Sequence, residues 1–163
     1  MGWPALKTPD VAFTVQGKEM QYEPKKNQSD VIGNARASRT FPSKTASQKL
    51  CTQTLTADHF HINFVDAVKE SIHHQPSQDI DTITANGNVD FQHEDLNIKA
   101  DSCIYDCKTN IITCEHNIIL TKGQNTLKGD KAEANLESGC YTVAAHNKSD
   151  KVQAVLIPHS VRD

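Results

Sequence analysis

The chain has 163 residues, a net charge of −3 with its histidines neutral, and only 37% hydrophobic and 6% aromatic content. That length suits one domain with a modest core. The balanced charge, with Lys25-Lys26 as its one basic pair, argues against a nucleic-acid partner, and no run of 18 apolar residues suggests a transmembrane helix.

The start, Met1-Gly2-Trp3-Pro4-Ala5-Leu6-Lys7, lacks the charged head and apolar stretch of a secretion signal, and lacks the Ser or Thr that a myristoylation signal wants. Any leader is therefore expected upstream of Met1. Residues 1–10 read as an extension and 11–160 as one domain. Within that domain a short phrase recurs: Val15-Gln16-Gly17-Lys18, Leu55-Thr56-Ala57-Asp58, Ile98-Lys99-Ala100-Asp101 and Leu127-Lys128-Gly129-Asp130. A second phrase interleaves with it as Gly33-Asn34, Gly87-Asn88, His116-Asn117 and His146-Asn147. Asp101 to Asp130 is 29 residues, and so is Asn88 to Asn117. A period of about 29 residues is one supersecondary unit that cannot bury its apolar face alone, so units stack.

Between these phrases the apolar residues alternate, as at Val89 and Phe91 or at Leu96, Ile98 and Ala100. Period two punctuated by Gly, Asn and Asp predicts half-buried strands. Turns are expected at 22–28, 105–111 and 134–140, each ending in Asn or Gly, which accept positive φ cheaply. The pattern predicts an almost wholly β protein of about 12–16 strands. One short helix is allowed near residues 64–72, where Phe64, Val65, Val68 and Ile72 have helical spacing. Two insertions, roughly 40–50 and 65–78, interrupt the repeat without ending it. Parity breaks at each Ala-Asp step: Ile98 and Ala100 share a face, but Tyr105 has the opposite parity. If Tyr105 also points inward, the strand must bend or bulge near Asp101. The Asp of this phrase reads as a corner residue, not a catalytic acid.

The five cysteines, Cys51, Cys103, Cys107, Cys114 and Cys140, form no CxxC pair and fit no standard zinc site. Cys103 and Cys114 flank one hairpin turn and could reach disulfide range, although unpaired thiols are the plainer expectation. His59 and His61 share a strand face and His73-His74 lies in the second insertion, but nothing in the spacing makes three ligands converge, so no metal is expected. No base or oxyanion site accompanies any cysteine, so no catalytic residue is expected.

The recurring runs Ile83-Thr-Ala-Asn-Gly-Asn-Val89, Ile98-Lys-Ala-Asp101, Tyr105-Asp-Cys-Lys-Thr-Asn110 and Asn125-Thr-Leu-Lys-Gly-Asp130 resemble the OstA-like repeat of lipopolysaccharide-transport proteins. The tail Lys151-Val-Gln-Ala-Val-Leu-Ile-Pro158 is similar to the end of a periplasmic member. Lys18 and His116 depart from the pattern, standing where Asp and Gly are usual. The resemblance covers about residues 11–160. It implies an all-β fold: an open, twisted antiparallel β-jellyroll, bent like a taco around an apolar interior. It also implies a non-catalytic, cofactor-free carrier in the periplasm. Such a carrier shelters the lipid A acyl chains of lipopolysaccharide and stacks head to tail. Its partners are an inner-membrane LptC-like domain and an outer-membrane LptD-like OstA domain.

Phe13, Val15, Leu55, Phe91, Leu96, Ile98, Ile118, Leu120 and Leu127 flank the corners on one parity and, with Tyr105, are the candidate lipid-binding residues. On the residues alone a closed core fits them as well as a groove does; the resemblance favours the groove. The alternatives are another OstA-like module or a ligand-free structural adaptor. An unclosed stack would leave its edges near residues 12–16 and 152–157.

Overall fold

The structure is a computed structural model, and it describes residues 13–42, 50–65, 79–145 and 151–156. Ten strands follow one another: β1 (Thr14–Gln16), β2 (Glu19–Glu23), β3 (Gln28–Pro42), β4 (Leu50–Phe64), β5 (Ile80–His93), β6 (Leu96–Asp106), β7 (Ile111–Lys122), β8 (Asn125–Asn135), β9 (Tyr141–Ala144) and β10 (Gln153–Val155). All belong to one antiparallel sheet in the order β1-β3-β4-β5-β6-β7-β8-β10, with β2 also on β3 and β9 also on β8. The described residues contain no helix. Phe64 ends a strand, and most of the proposed 64–72 helix lies outside the described residues, as do most of the two insertions.

Among the described residues there are ten strands, against about 12–16 expected of the whole chain. One reason is that each long strand passes through its corner without losing its partners. Register shifts fall between Ile32 and Ala35, Thr56 and His59, Asn86 and Val89, Lys99 and Ser102, and Glu115 and Ile118. The shift consumes one residue of parity, so Ile98 and Tyr105 are both buried although their numbering differs by an odd step. The bend foreseen near Asp101 is thus a β-bulge.

The two recurring phrases build these corners together. Gly33, Gly87 and His116 have φ of 87°, 86° and 72°, and Asn34, Asn88 and Asn117 follow at 47°, 48° and 56°. Two successive residues in the left-handed region turn the strand, and Asn tolerates that region better than most residues. The Asn amide then ties the corner to its neighbour: Asn88 Nδ2 donates to Asp58 Oδ2 at 3.0 Å and Asn117 Nδ2 to Asp101 Oδ2 at 2.7 Å. In the first copy Lys18 has no carboxylate to offer. There the Lys18 N–H reaches Ile32 O and Gly33 O, both at 3.0 Å, and its side chain lies over Gly33.

Because the corners line up, the sheet folds along them into two layers. The β1 layer holds β1, the C-terminal part of β3, the N-terminal part of β4, and onward to β10. The β2 layer holds β2, the remaining halves of β3–β8, and β9. Contacts across the fold prove the layers face each other. β3 and β6 are three places apart in the sheet, roughly 14 Å, yet Arg39 Nη2 lies 2.8 Å from Tyr105 Oη. The Phe91 and Tyr105 rings, from opposite layers, have centroids 6.2 Å apart. The apolar core sits between the layers. The sheet stays open, because β1 and β2 form one edge and β9 and β10 the other.

Candidate functional site

Six of the sequence-selected residues occupy one row. Register pairs run Val15↔Ala37, Ala37↔Leu55, Leu55↔Phe91, Phe91↔Ile98, Ile98↔Leu120, Leu120↔Leu127 and Leu127↔Ala154. Eight apolar side chains therefore cross eight strands, a line of roughly 33 Å at ordinary strand spacing. Ala37, Leu55, Phe91, Ile98 and Leu120 are buried, whereas Val15 and Leu127 are half-buried and Ala154 is exposed. The row is thus covered in its middle and runs out to solvent toward both sheet edges. Leu96 and Ile118 are buried beside it, Tyr105 is buried opposite it, and Phe13 is half-buried against the Tyr105 ring at 6.2 Å.

The opposite wall was missed by the sequence selection. In the β2 layer one row reads Val31, Phe60, Ala85, Cys103, Cys114 and Ala132, and the next reads Ile62, Ile83, Tyr105, Ile112 and Ala134. All of these are buried. Selection by one parity found the first wall and, through Tyr105 alone, touched the second. The signal was present in the alternation of Phe60 with Ile62 and of Ile83 with Ala85, on the far side of each corner.

A polar group interrupts the apolar interior near the β1–β3 edge. Gln53 is 2% exposed, and its register neighbours are Arg39 and His93. Arg39 Nη2 donates to Tyr105 Oη, to Asn110 Oδ1 at 3.4 Å and to Gln53 Oε1 at 3.5 Å, and its guanidinium carbon lies 4.7 Å above the Phe13 ring. Tyr105 donates in turn to Asn110 Oδ1. Burial pushes the Tyr105 phenol above its ordinary pKa, which keeps it a neutral donor. Cys107 nearby is pushed up to about 12, chiefly by burial, so it is a thiol and not a nucleophilic thiolate at neutral pH.

Cys103 and Cys114 face each other in register and are joined as a disulfide, with Cα atoms 3.9 Å apart. This corrects the expectation of unpaired thiols. The turn after Asp106 fixes the β6–β7 register and brings the two sulfurs together. His59 Nε2 and His61 Nδ1 both lie 3.0 Å from Asp30 Oδ1 on the outer face of the β2 layer. Among the described residues no three His, Cys, Asp or Glu side chains are arranged to hold a metal ion, and His73 and His74 lie outside them.

What this geometry offers is apolar surface in a long line, with no nucleophile–base pair along it. Residues 49–140 match the family described as LptA/(LptD N-terminal domain) LPS transport protein. The chain belongs to that family. It is therefore a member of a group of lipopolysaccharide-transport proteins, a transport module by family. The fold agrees with a solved relative at low sequence identity. The crystal structure of LptH, described as the LptA homologous periplasmic component of the conserved lipopolysaccharide transport device from Pseudomonas aeruginosa, superposes with a TM-score of 0.68. The two are 10% identical, over 90% of this chain and 96% of LptH. No curated protein sequence matches the chain. The fold is accordingly the open β-jellyroll of the LptA-like proteins.

Proposed function

We propose that this chain carries lipopolysaccharide across the periplasm, holding lipid A acyl chains between its two layers as one unit of a head-to-tail bridge. The observation that carries the reading is the single apolar row from Val15 to Ala154, which reaches both open edges. A second copy aligned edge to edge would extend the same line. Each buried methylene contributes about 0.8 kcal/mol, so a chain of about 12 carbons contributes on the order of 10 kcal/mol before ordering costs. Affinity of that kind needs no specific polar contact and lets a chain slide. The Cys103–Cys114 disulfide supports an oxidising compartment, as the periplasm is. We further propose residues 11–160 as one working unit, with LptC-like and LptD-like OstA domains as the partners at its edges.

The full burial of Leu55, Phe91, Ile98 and Leu120 favours one rival, a closed-core adaptor with no ligand. Lipid extraction and mass spectrometry of the purified protein separate the two. A carrier returns co-purified acylated lipid or loads lipopolysaccharide when offered it. Ile98→Asp and Leu127→Asp should then retain less, because an unpaired charge opposes acyl packing. Melting is followed in parallel. Folded wild-type protein that neither returns nor loads lipid sinks the carrier reading, and folded Asp variants with full retention remove those two positions from the site.

A further inference from the structure

We infer that Arg39 is a clasp between the two layers, and that its release sets the rate at which a lipid chain is loaded; the inference rests on the carrier reading above. Arg39 belongs to the β1 layer, in the register row Arg39–Gln53–His93–Leu96, which flanks the turn at 94–95. Its partners Tyr105 and Asn110 belong to the β2 layer, at the end of β6 and in the turn that follows. Both turns lie on the side away from the corners. The bonds therefore tie rim to rim across the fold, where among the described residues the layers have no backbone connection.

The row beneath the clasp is packed. Leu55 and Phe91 lie one step deeper on the same two strands as Gln53 and His93, and both are buried. A hydrocarbon chain cannot lie along that row unless the layers separate, and separation at this end parts Arg39 from Tyr105 and Asn110. The chemistry suits a bond that opens and recloses. The guanidinium keeps its stack on Phe13, which is on its own layer, and water can replace the two lost oxygens at the rim. Tyr105 keeps its bond to Asn110, which is also on its own layer. Once the layers part, water can reach the guanidinium and the Tyr105 hydroxyl, so opening is reversible.

The position also gives direction. Phe13 and Arg39 lie at the β1–β3 end and reach inward to the Tyr105 ring at mid-sheet, while Gly129, Ala132 and Ala134 line the β8 end. Loading through the β1–β3 end must pass the clasp, and separation elsewhere need not break it.

The test uses Arg39→Met, which keeps an unbranched stem against Phe13, with Arg39→Lys and Tyr105→Phe as partners. A phospholipid bearing one parinaroyl chain is presented in vesicles, and the fluorescence rise gives the loading rate. Hydrogen exchange is measured without lipid over residues 105–110. Arg39→Met should load about tenfold faster than wild type, and residues 105–110 should exchange faster. Arg39→Lys, which retains the charge but not the planar fork, should fall between. If Arg39→Met does not fold, Tyr105→Phe carries the same expectation at smaller size. A wild type that loads while the variants load within twofold of it overturns the clasp and leaves the carrier reading intact. Unchanged exchange at 105–110 overturns it without reference to lipid. A folded wild type that never loads overturns the carrier reading and the loading claim with it.

Discussion

At Gly87 the backbone sits at φ 86°, and a Cβ there would stand 2.5 Å from Asp58 Oδ2 and 3.0 Å from Asp58 Cβ. Gly139 has a similar φ of 81° with nothing within 4 Å. The pair separates two costs. Gly139→Ala meets only the left-handed penalty, about 1–2 kcal/mol. Gly87→Ala meets that penalty and also displaces the carboxylate that accepts the Asn88 amide, so it should cost more, about 2–4 kcal/mol in all. Urea unfolding of both variants checks the order; equal losses would mean the corner absorbs the methyl group. Asp30 gives a second residue-scale prediction. The His61 hydrogen bond, followed by His59, holds its carboxyl below the ordinary value of 3.8 despite some desolvation. A lowered folded pKa stabilises the fold above the unfolded pKa, and that stabilisation is lost as pH falls through the folded value. The side chain is 36% exposed, so solvent screens the effect and it is small. The stability gap between wild type and Asp30→Asn should close as pH falls below about 4. A gap that widens in that range would contradict the assignment.

Among the elements, the hairpin of β6 and β7 shows what was legible and what was not. The turn after Asp106 was readable, because Asp106 Oδ1 accepts the Lys108 and Thr109 N–H groups and Asn110 supplies positive φ. Alternation placed Ile98 and Leu120 on a common face, and the register sets them opposite each other. The second wall was not legible by the same rule, since a bulge at each corner moves Phe60, Ile62, Ile83 and Ile112 onto the other parity. Arg39 and Gln53 were missed for another reason. Polar residues carry no period that marks them as interior, and only the folding of the sheet into two layers brings Arg39 to Tyr105. The disulfide depended on the β6–β7 register. It encloses a short loop, with a sequence separation of 11 between Cys103 and Cys114. Chain-entropy reasoning gives it about 3 kcal/mol of stabilisation at most. Cys103→Ala/Cys114→Ala should therefore lower stability by about 2–3 kcal/mol, through the lost cross-link and a small packing loss. Calorimetry of the double variant against wild type measures it. No change in melting would mean the bond is absent in the folded protein.

For the whole molecule the decisive feature is that the strands of the described residues make one sheet with two unlike edges. β1 and β2 present one, with Met20 and Tyr22 about half exposed, and β10 presents the other, with Val155 58% and Leu156 66% exposed. Unpaired backbone and exposed apolar side chains on a strand edge invite another strand. Because the two edges differ in sequence, pairing them is heterologous, and repetition gives a line instead of a closed ring. Linear oligomers that grow with concentration are the expected behaviour in sedimentation. Val155 pairs with Thr126 at the margin of the sheet, in a strand of three residues whose side chains are all exposed. A proline there removes an N–H and fixes φ, which a strand edge tolerates internally but a docking strand cannot use. Val155→Pro should therefore shift the protein toward monomer while leaving its melting temperature within a few degrees of wild type, since β3–β8 carry the core. Crosslinks between positions 13–16 and 152–155 of neighbouring copies should disappear in parallel. A wild type that stays strictly monomeric at high concentration, or a Val155→Pro variant that associates as well as wild type, would remove these edges from the assembly.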